Sequence, residues 1–151
     1  MPDELTELWD TAIYKEIASQ AVYEAGWDKT GDEGARTLLH DLAREEKKHA
    51  RWLQAFKEGG LDKLPRRTRE LPDLKLSEYL TGGDTLVGAG LQDVLIFAMK
   101  REQQAVEFYA RLTGVLRDEA AKRLCQRLVH QELKHKLRLE LFYDSLFYGE
   151  D

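Results

Sequence analysis

The sequence contains two copies of one pattern, which align without a gap at an offset of 86 residues. The identical pairs are charged, aromatic and apolar, and they include Glu16 and Glu102, Tyr23 and Tyr109, Leu38 and Leu124, Leu42 and Leu128, Glu46 and Glu132, His49 and His135, and Leu53 and Leu139. Self-similarity at a fixed offset indicates that one supersecondary unit is repeated. Apolar residues recur in both copies at steps of three and four, which is typical of amphipathic helices. The sequence therefore predicts two similar helical hairpins.

A Glu-x-x-His motif occurs at the same place in each copy. Glu46 and His49 form the first motif, and Glu132 and His135 form the second. Residues three apart on a helix lie on one face, one turn apart, so a carboxylate and an imidazole at this spacing can bind one metal ion. One such motif on a charged helix is usually a surface feature. Two motifs at equivalent positions of a repeat indicate a metal site.

Each copy also carries a glutamate on its first helix, where the helical pattern predicts a core residue. Glu16 and Glu102 interrupt seams that otherwise hold apolar or small residues. Four carboxylates in a bundle core cost several kcal/mol each unless they are paired. Two divalent cations would balance their charge, and two imidazoles would complete the set. The predicted metal ligands are Glu16, Glu46, His49, Glu102, Glu132 and His135.

The ligand types restrict the metal. Carboxylates with imidazole suit iron or manganese better than a metal that prefers thiolates, although zinc could substitute. Cys125 is the single cysteine, so neither a CxxC zinc or rubredoxin-type iron site nor a disulfide within the chain is possible. The residues alone therefore predict two divalent cations, iron or manganese, with zinc as a possible substitute.

Tyr23 and Tyr109 lie seven residues after Glu16 and Glu102, two turns further along the same helix face. Each phenol either hydrogen-bonds a ligand carboxylate from outside the ligand set or is a large core residue whose hydroxyl finds a partner. The sequence leaves both interpretations open.

Turn and capping signals divide the chain into four helices. Helix 1 is expected to run from Asp3 to about Ala25 and to stop at Gly26, and a capping box of Thr30 and Glu33 is expected to begin helix 2. Helix 2 is expected to end near residue 57, and helix 4 to run from about 118 to 148. Helix 3 is expected to start at Asp84 or Thr85, or a few residues later because of Gly88 and Gly90, and to stop at Gly114.

Pro65, Pro72, Gly82 and Gly83 break the helical pattern between the two copies. A connection of this length can cross the bundle from one end to the other. Two hairpins joined by a long crossover give an all-α, ferritin-like antiparallel four-helix bundle. We expect one domain, residues 1–151, with hairpin 1 at about 3–58, the crossover linker at about 59–85 and hairpin 2 at about 86–148.

Composition excludes several function classes. The net charge of −5 argues against a general affinity for nucleic acid. The sequence has no apolar run of membrane length and no signal-peptide pattern, so neither membrane insertion nor secretion is expected. A soluble chain with one cysteine is expected in the reducing cytoplasm.

The motifs resemble the rubrerythrin-like branch of the ferritin-like di-iron carboxylate superfamily. The resemblance rests on Glu16, on Glu102, and on the phrases Glu46-Lys47-Lys48-His49, Ala98-Met99-Lys100-Arg101-Glu102, Glu107-Phe108-Tyr109 and Glu132-Leu133-Lys134-His135. It implies a di-iron site bridged by Glu46 and Glu132. Glu16 and Glu102 would then be terminal ligands, with His49 on one iron and His135 on the other.

Two departures from the family pattern bear on function. Rubrerythrins carry an extra glutamate one turn after the ligand on the third helix, where this sequence has Ala105. The remaining six-ligand set is more similar to bacterioferritin-type centres. The sequence also lacks the rubredoxin domain that follows the bundle in rubrerythrins, so the resemblance implies an external electron donor such as a rubredoxin-like protein.

The resemblance leaves three functions open. The first is a di-iron oxidoreductase that reduces hydrogen peroxide, in defence against oxidative stress, at the expense of the external donor. The second is ferroxidation and iron handling, with O2 as oxidant at the same six residues. The third is a metal-stabilised interaction module without turnover. A homo-oligomer, and among oligomers a dimer, is expected in each case.

Overall fold

The computed structural model describes residues 4–60 and 90–148. These residues form four α-helices: α1 at Glu4–Asp28, α2 at Glu33–Gly60, α3 at Leu91–Val115 and α4 at Glu119–Phe147. The described residues contain no strand. The predicted all-α four-helix fold is therefore confirmed.

In each hairpin an aspartate caps the start of the second helix. The Asp32 carboxylate accepts a hydrogen bond from the backbone N–H of Ala35 at 2.8 Å, and the Asp118 carboxylate accepts one from Ala121 at 2.8 Å. Each bond satisfies one of the free N–H groups of a helix start. The predicted capping role of Thr30 is wrong, because its hydroxyl accepts from the N–H of Asp32 in the preceding turn.

Gly26 does not end α1, which continues to Asp28. Its role is a close approach between helices. A methyl group built on Gly26 would lie 2.8 Å from a Val94 methyl and 3.1 Å from a Leu39 methyl. The glycine therefore lets α1 approach both α2 and α3, and the sequence-based interpretation of it as a stop signal is wrong.

Contacts along the helices show that α1 runs antiparallel to α3. Residues late in α1 meet residues early in α3, since Gly26 approaches Val94. Residues in the middle of α1 meet later ones, since Ser19 contacts Arg101 and Lys15 lies over the ring of Phe108.

Helices α2 and α4 are also antiparallel, since residues early in α2 meet residues late in α4. Arg138 lies 3.5 Å from Asp41, and Arg127 lies over the Trp52 ring at 4.4 Å from its centre. The two hairpins therefore pack as antiparallel pairs, and α2 ends at the opposite end of the bundle from the start of α3. The predicted crossover falls largely on residues 61–89, which lie outside the described residues, as does the predicted start of helix 3 near residue 84.

The core is divided into two apolar clusters. One contains Trp9, Leu53, Tyr109 and Leu128. The other contains, among others, Tyr23, Leu39, Leu42, Leu95 and Leu139. Between them in sequence, on every helix, lie the charged seam residues, so the apolar clusters enclose a polar layer at the middle of the bundle.

The ends of the predicted seams are less buried than their centres. Leu5 and Leu146 continue the spacing of three and four residues at the outer ends of α1 and α4, but they are 36% and 39% exposed. Among residues 4–60 and 90–148, no helix is both long enough and apolar enough to cross a bilayer. The cytoplasmic location stays a prediction.

Candidate metal centre

The six predicted ligand residues meet in one buried cluster between the apolar layers. Helices α1 and α3 each contribute one glutamate, and α2 and α4 each contribute a glutamate and a histidine. The side chains are almost inaccessible, with five residues at 0% exposure and the sixth, His135, at 2%. The residues of the cluster are Glu16, Glu46, His49, Glu102, Glu132 and His135.

The Nδ1 atom of His49 faces three carboxylates. It lies 2.8 Å from Glu16 Oε1, 3.4 Å from Glu132 Oε1 and 3.7 Å from Glu46 Oε2. The Glu46 contact lies within one helix, at a separation of three residues, as the motif predicts. The other two contacts come from α1 and α4, so three helices meet at this imidazole.

The Nδ1 atom of His135 has the matching environment. It lies 2.8 Å from Glu46 Oε1, 3.1 Å from Glu132 Oε1 and 3.2 Å from Glu102 Oε2. The His49 and His135 rings stack nearly parallel, with an interplanar angle of 10° and centres 5.4 Å apart. The internal repeat thus forms two related halves of one site in space.

The donor atoms fall into two overlapping groups of four. Glu16, Glu46, His49 and Glu132 form the first group, and Glu46, Glu102, Glu132 and His135 form the second. Within each group the potential ligand atoms all lie within 4.8 Å of one another. Glu46 and Glu132 belong to both groups, which is the arrangement that two neighbouring cations with shared carboxylates require.

Unsatisfied polar atoms show that the cluster fits a metal. Buried carboxylate oxygens of Glu16, Glu46, Glu102 and Glu132 lack a hydrogen-bond partner in the structure. Buried polar atoms are normally paired, and buried carboxylates that are not hydrogen-bonded usually coordinate cations. Oxygen and imidazole donors suit iron, manganese and zinc. The residues present therefore match the chemistry of a two-metal site.

Without a cation, protons must compensate the carboxylates. Burial, and then the charge of Glu132, raises the pKa of Glu16 to about 7. Burial and the charge of Glu102 raise the pKa of Glu46 well above its ordinary value. Both carboxyls would gain from a nearby cation, which is a further sign of fit.

For the two imidazoles, the neighbouring carboxylates outweigh the effect of burial on the pKa. Burial lowers the pKa of His49, but the neighbouring carboxylates of Glu132, Glu16 and Glu46 outweigh it and raise the pKa to about 12. For His135, burial is likewise outweighed by Glu102 and Glu132, and the pKa rises to about 10. In the metal-free chain the imidazoles are therefore cationic partners of the carboxylates.

Tyr23 and Tyr109 lie at the two ends of the cluster and are 1% and 0% exposed. Burial raises the pKa of both hydroxyls, and Glu102 raises that of Tyr23 further, as Glu16 does for Tyr109. Each tyrosine therefore neighbours the glutamate of the other hairpin. The hydroxyls stay protonated and can donate hydrogen bonds to those carboxylates.

Two residues that lie near the cluster were not predicted there from the sequence. Glu45 precedes the bridging position of α2 and is partly exposed, yet its carboxylate lies 3.8 Å from His135 Nε2. It also groups with both imidazoles as a possible ligand. Because Arg44 and Lys47 lie beside it in the sequence, Glu45 is expected on the surface of α2. Its position next to Glu46 was the one sequence signal for a place near the metal site.

Arg101 is the second missed residue, and it is only 6% exposed. Its guanidinium donates hydrogen bonds to the Ser19 hydroxyl at 3.0 and 3.2 Å and to the Lys15 carbonyl at 3.0 Å. Burial lowers its pKa, while the neighbouring acidic groups, Glu46 and Glu102 among them, act to raise it. The repeat offered a signal, because Arg101 aligns with Lys15 and each precedes a core glutamate.

Comparisons with known proteins agree with this geometry. The sequence model of the rubrerythrin family matches residues 1–57, which cover the first hairpin. A hypothetical protein from Pyrococcus furiosus has a similar structure, with a TM-score of 0.73 and 26% identity over 96% of this chain and 91% of that chain. No curated protein gives a significant match. The family match confirms that the first hairpin resembles the rubrerythrin family, and the structural match shows that the fold of nearly the whole chain is shared with the Pyrococcus furiosus protein.

Proposed function

We propose that the protein is a non-haem di-iron oxidoreductase that reduces hydrogen peroxide with electrons from an external donor. The observation that supports this proposal best is the pair of four-residue groups that share Glu46 and Glu132. A site for a single ion needs no shared carboxylates. The match to the rubrerythrin family adds to this support.

Each residue of the cluster has a role in the proposal. Glu46 and Glu132 would hold both ions, Glu16 with His49 would complete one ion's ligands, and Glu102 with His135 would complete the other's. When bound, two Fe(II) ions supply the two electrons that, with two protons, convert one hydrogen peroxide into two water molecules. The apolar clusters on either side would keep the site dry, and the buried tyrosine hydroxyls beside Glu16 and Glu102 would be available to donate hydrogen bonds to these terminal carboxylates.

Metal stoichiometry tests the site. After anaerobic loading with Fe(II) and desalting, we expect about two irons per chain, one for each four-residue group. The Glu46→Ala, Glu132→Ala double variant should lose both ions. A matched control is the Glu58→Ala, Glu140→Ala double variant, which removes two carboxylates outside the cluster and should retain both. Full metal content in the Glu46 and Glu132 variant, with helical content unchanged, would refute the ligand assignment.

Oxidation kinetics test the reaction. The Fe(II)-loaded protein, mixed separately with hydrogen peroxide and with O2 at equal concentration, should be oxidised faster by peroxide. Stopped-flow absorbance measures both rates on the same preparation. If O2 is the faster oxidant, the peroxidase proposal fails although the metal site stands.

Ferroxidation is the second candidate, and Ala105 favours it. This residue is buried and offers no ligand atom, so within the described residues Glu102 is the carboxylate that α3 contributes to the two four-residue groups. An iron-handling protein would oxidise many Fe(II) equivalents per chain with O2, whereas a peroxidase stops at about two without its donor. A titration with excess Fe(II) and O2 therefore separates the two candidates. If neither oxidant reacts with the loaded protein, the remaining proposal is a metal-stabilised interaction module.

A further inference from the structure

The two halves of the metal site differ just outside their ligands. Glu45 directly precedes the shared ligand Glu46 on α2. At the offset of 86 residues, the equivalent position before Glu132 on α4 holds Gln131. Both side chains are half-buried. The repeat is therefore symmetric in its six ligands, but one half has a carboxylate where the other has an amide.

The Glu45 carboxylate faces the second nitrogen of one imidazole. Its Oε1 atom lies 3.8 Å from His135 Nε2, whereas His135 Nδ1 faces the ligand carboxylates. The distance is that of an ion pair, and a small rotation of the half-buried Glu45 side chain would bring the two atoms within hydrogen-bonding distance. Glu45 can therefore accept a hydrogen bond from the imidazole while Nδ1 of the same ring binds a cation.

His49 has different surroundings. Its Nε2 atom is buried and has no hydrogen-bond partner within residues 4–60 and 90–148. The Trp52 ring packs beside this imidazole, with ring centres 5.3 Å apart. Two cations cover the Trp52 ring, Arg127 at 4.4 Å and Lys48 at 5.0 Å from its centre. The groups that lie beyond the ligands on this side are thus an aromatic ring and two cations.

The next turn of each helix shows the same difference. Asp41 lies in one cleft with Glu45 and pairs with Arg138 at 3.5 Å. At the repeat offset, Arg127 takes the place of Asp41, and Trp52 takes the place of Arg138. The cleft also holds exposed basic residues, which water screens from the site: Arg44, Lys47, Lys48 and Arg51. Carboxylates therefore support the imidazole of α4, and an amide and a guanidinium occupy the matching positions for the imidazole of α2.

We propose that Glu45 makes the two metal positions unequal, so that the first divalent cation binds beside His135. The His135 position is the one that Glu102 and His135 complete, and the His49 position is the one that Glu16 and His49 complete. A carboxylate that accepts a hydrogen bond from a ligand imidazole fixes the ring and makes its other nitrogen a stronger donor, which is worth about 10–100-fold in metal affinity. Glu45 is thus a positioning residue. The inference rests on the two-metal site of the proposed function and not on the reaction.

Partial loading tests the order of binding. The full chain is stripped of metal, given one equivalent of Mn(II) and crystallised, and anomalous scattering measures the manganese occupancy of each position. For independent positions, an affinity ratio of about 10–100 corresponds at one equivalent to an occupancy about 3–10 times higher at the His135 position. Equal occupancy, or a preference for the His49 position, would overturn the proposal.

Exchange of the two outer residues tests the cause. E45Q should lower the affinity of the His135 position about tenfold or more and make the two occupancies more nearly equal. Q131E should raise the affinity of the His49 position, and E45Q/Q131E should transfer the preference to that position. E58Q is the matched control, since it changes an exposed carboxylate of α2 outside the cluster and should leave the occupancy ratio unchanged. Titration calorimetry with Mn(II) gives the affinities in solution.

The remaining outcomes separate this proposal from its alternatives. An E45Q variant with the original occupancy ratio, at unchanged helical content and full loading with excess metal, would refute the role of Glu45. Manganese bound directly to Glu45 would also refute it, because Glu45 groups with both imidazoles and would then be a ligand. Metal at neither position would refute the two-metal site itself. Unequal positions in a chain that does not react with peroxide would support this inference and refute only the proposed reaction.

Discussion

Arg101 places a positive charge inside a bundle whose centre carries four carboxylates. Its hydrogen bonds to Ser19 and to the Lys15 carbonyl fix the guanidinium between α1 and α3. In the metal-free chain this cation offsets part of the repulsion among the glutamates. Once divalent cations neutralise them, the same charge has less to stabilise. Arg101 therefore contributes more to the stability of the metal-free chain than to that of the metal-loaded chain.

We expect Arg101→Met to lower the free energy of unfolding of the metal-free chain by about 2–3 kcal/mol, because a buried charge partner is lost. The loss should be smaller in the chain loaded with Mn(II) or Fe(II). Denaturant unfolding with a chelator and with metal measures both values. Ser19→Ala is the control, since it removes a hydrogen-bond acceptor, keeps the cation and should cost about 1 kcal/mol in both states. Equal losses for Arg101→Met in the two states would contradict the electrostatic explanation.

Gly26 gives a second prediction for a single side chain. Gly26→Ala should destabilise the bundle by about 1–3 kcal/mol, because the added methyl group meets Val94 and Leu39. Gly114→Ala is the matched control, since nothing lies within 4 Å of a methyl group added there. That substitution should raise stability by up to about 1 kcal/mol through helix propensity. Thermal unfolding of both variants decides, and a neutral Gly26→Ala would refute the close packing.

At the scale of the helices, much could be predicted from the sequence. The repeat and the 3.6-residue periodicity predicted the four helices and the residues that converge, because a charged side chain at the same seam position of two hairpins needs a partner of opposite charge in the core. Helix ends were less predictable. A glycine at the end of a helical pattern, such as Gly26, is typical of a helix end. Only the proximity of Val94, 68 residues later, shows that Gly26 is needed for packing.

Residues outside the seams could not be assigned from periodicity. Arg101 lies one position from the seam and is buried because the small Ser19 opposes it on another helix. Leu133, Leu137 and Leu141 are apolar but lie on the side of α4 away from the seam, where they are 43%, 55% and 60% exposed. In each case the missing information is which side chains of other helices lie opposite, and that depends on the packed bundle.

Helix capping gives a prediction at this scale. Asp32→Ala and Asp118→Ala should each lower the free energy of unfolding by about 1 kcal/mol, since each removes the acceptor for a helix-start N–H. Helices α2 and α4 are antiparallel, so the two caps lie at opposite ends of the bundle and their costs should add. Asp→Ser at the same positions retains a capping oxygen and should cost less. Chemical denaturation of the single and double variants measures these values, and a strongly non-additive pair would contradict the separation.

At the scale of the whole molecule, stability should depend on pH in opposite ways with and without metal. The pKa of Glu16 rises from 4.5 to about 7 on folding, and those of His49 and His135 rise from 6.5 to about 12 and about 10. In each case the folded chain holds a proton that the unfolded chain has released. The linkage relation then requires stability to fall as pH increases through these intervals.

We therefore expect the metal-free chain to melt at a lower temperature at about pH 9 than at about pH 6. Metal binding displaces these protons, so the gain in melting temperature on adding Mn(II) should grow over the same range. Calorimetry with a chelator and with metal provides both curves. Glu16→Gln should flatten the metal-free curve between about pH 5 and 7. A metal-free chain that becomes more stable from about pH 6 to 9 would contradict the prediction.

The shared carboxylates also have a mechanical consequence. Glu46 belongs to the first hairpin and Glu132 to the second, yet each four-residue group contains both. Any ion bound by either group is therefore a cross-link between the two halves of the chain. The metal-loaded protein should open as a single unit, and amide exchange should slow together in all four helices. The metal-free protein should allow the hairpins to separate first, so that each half of the repeat behaves as a body of its own.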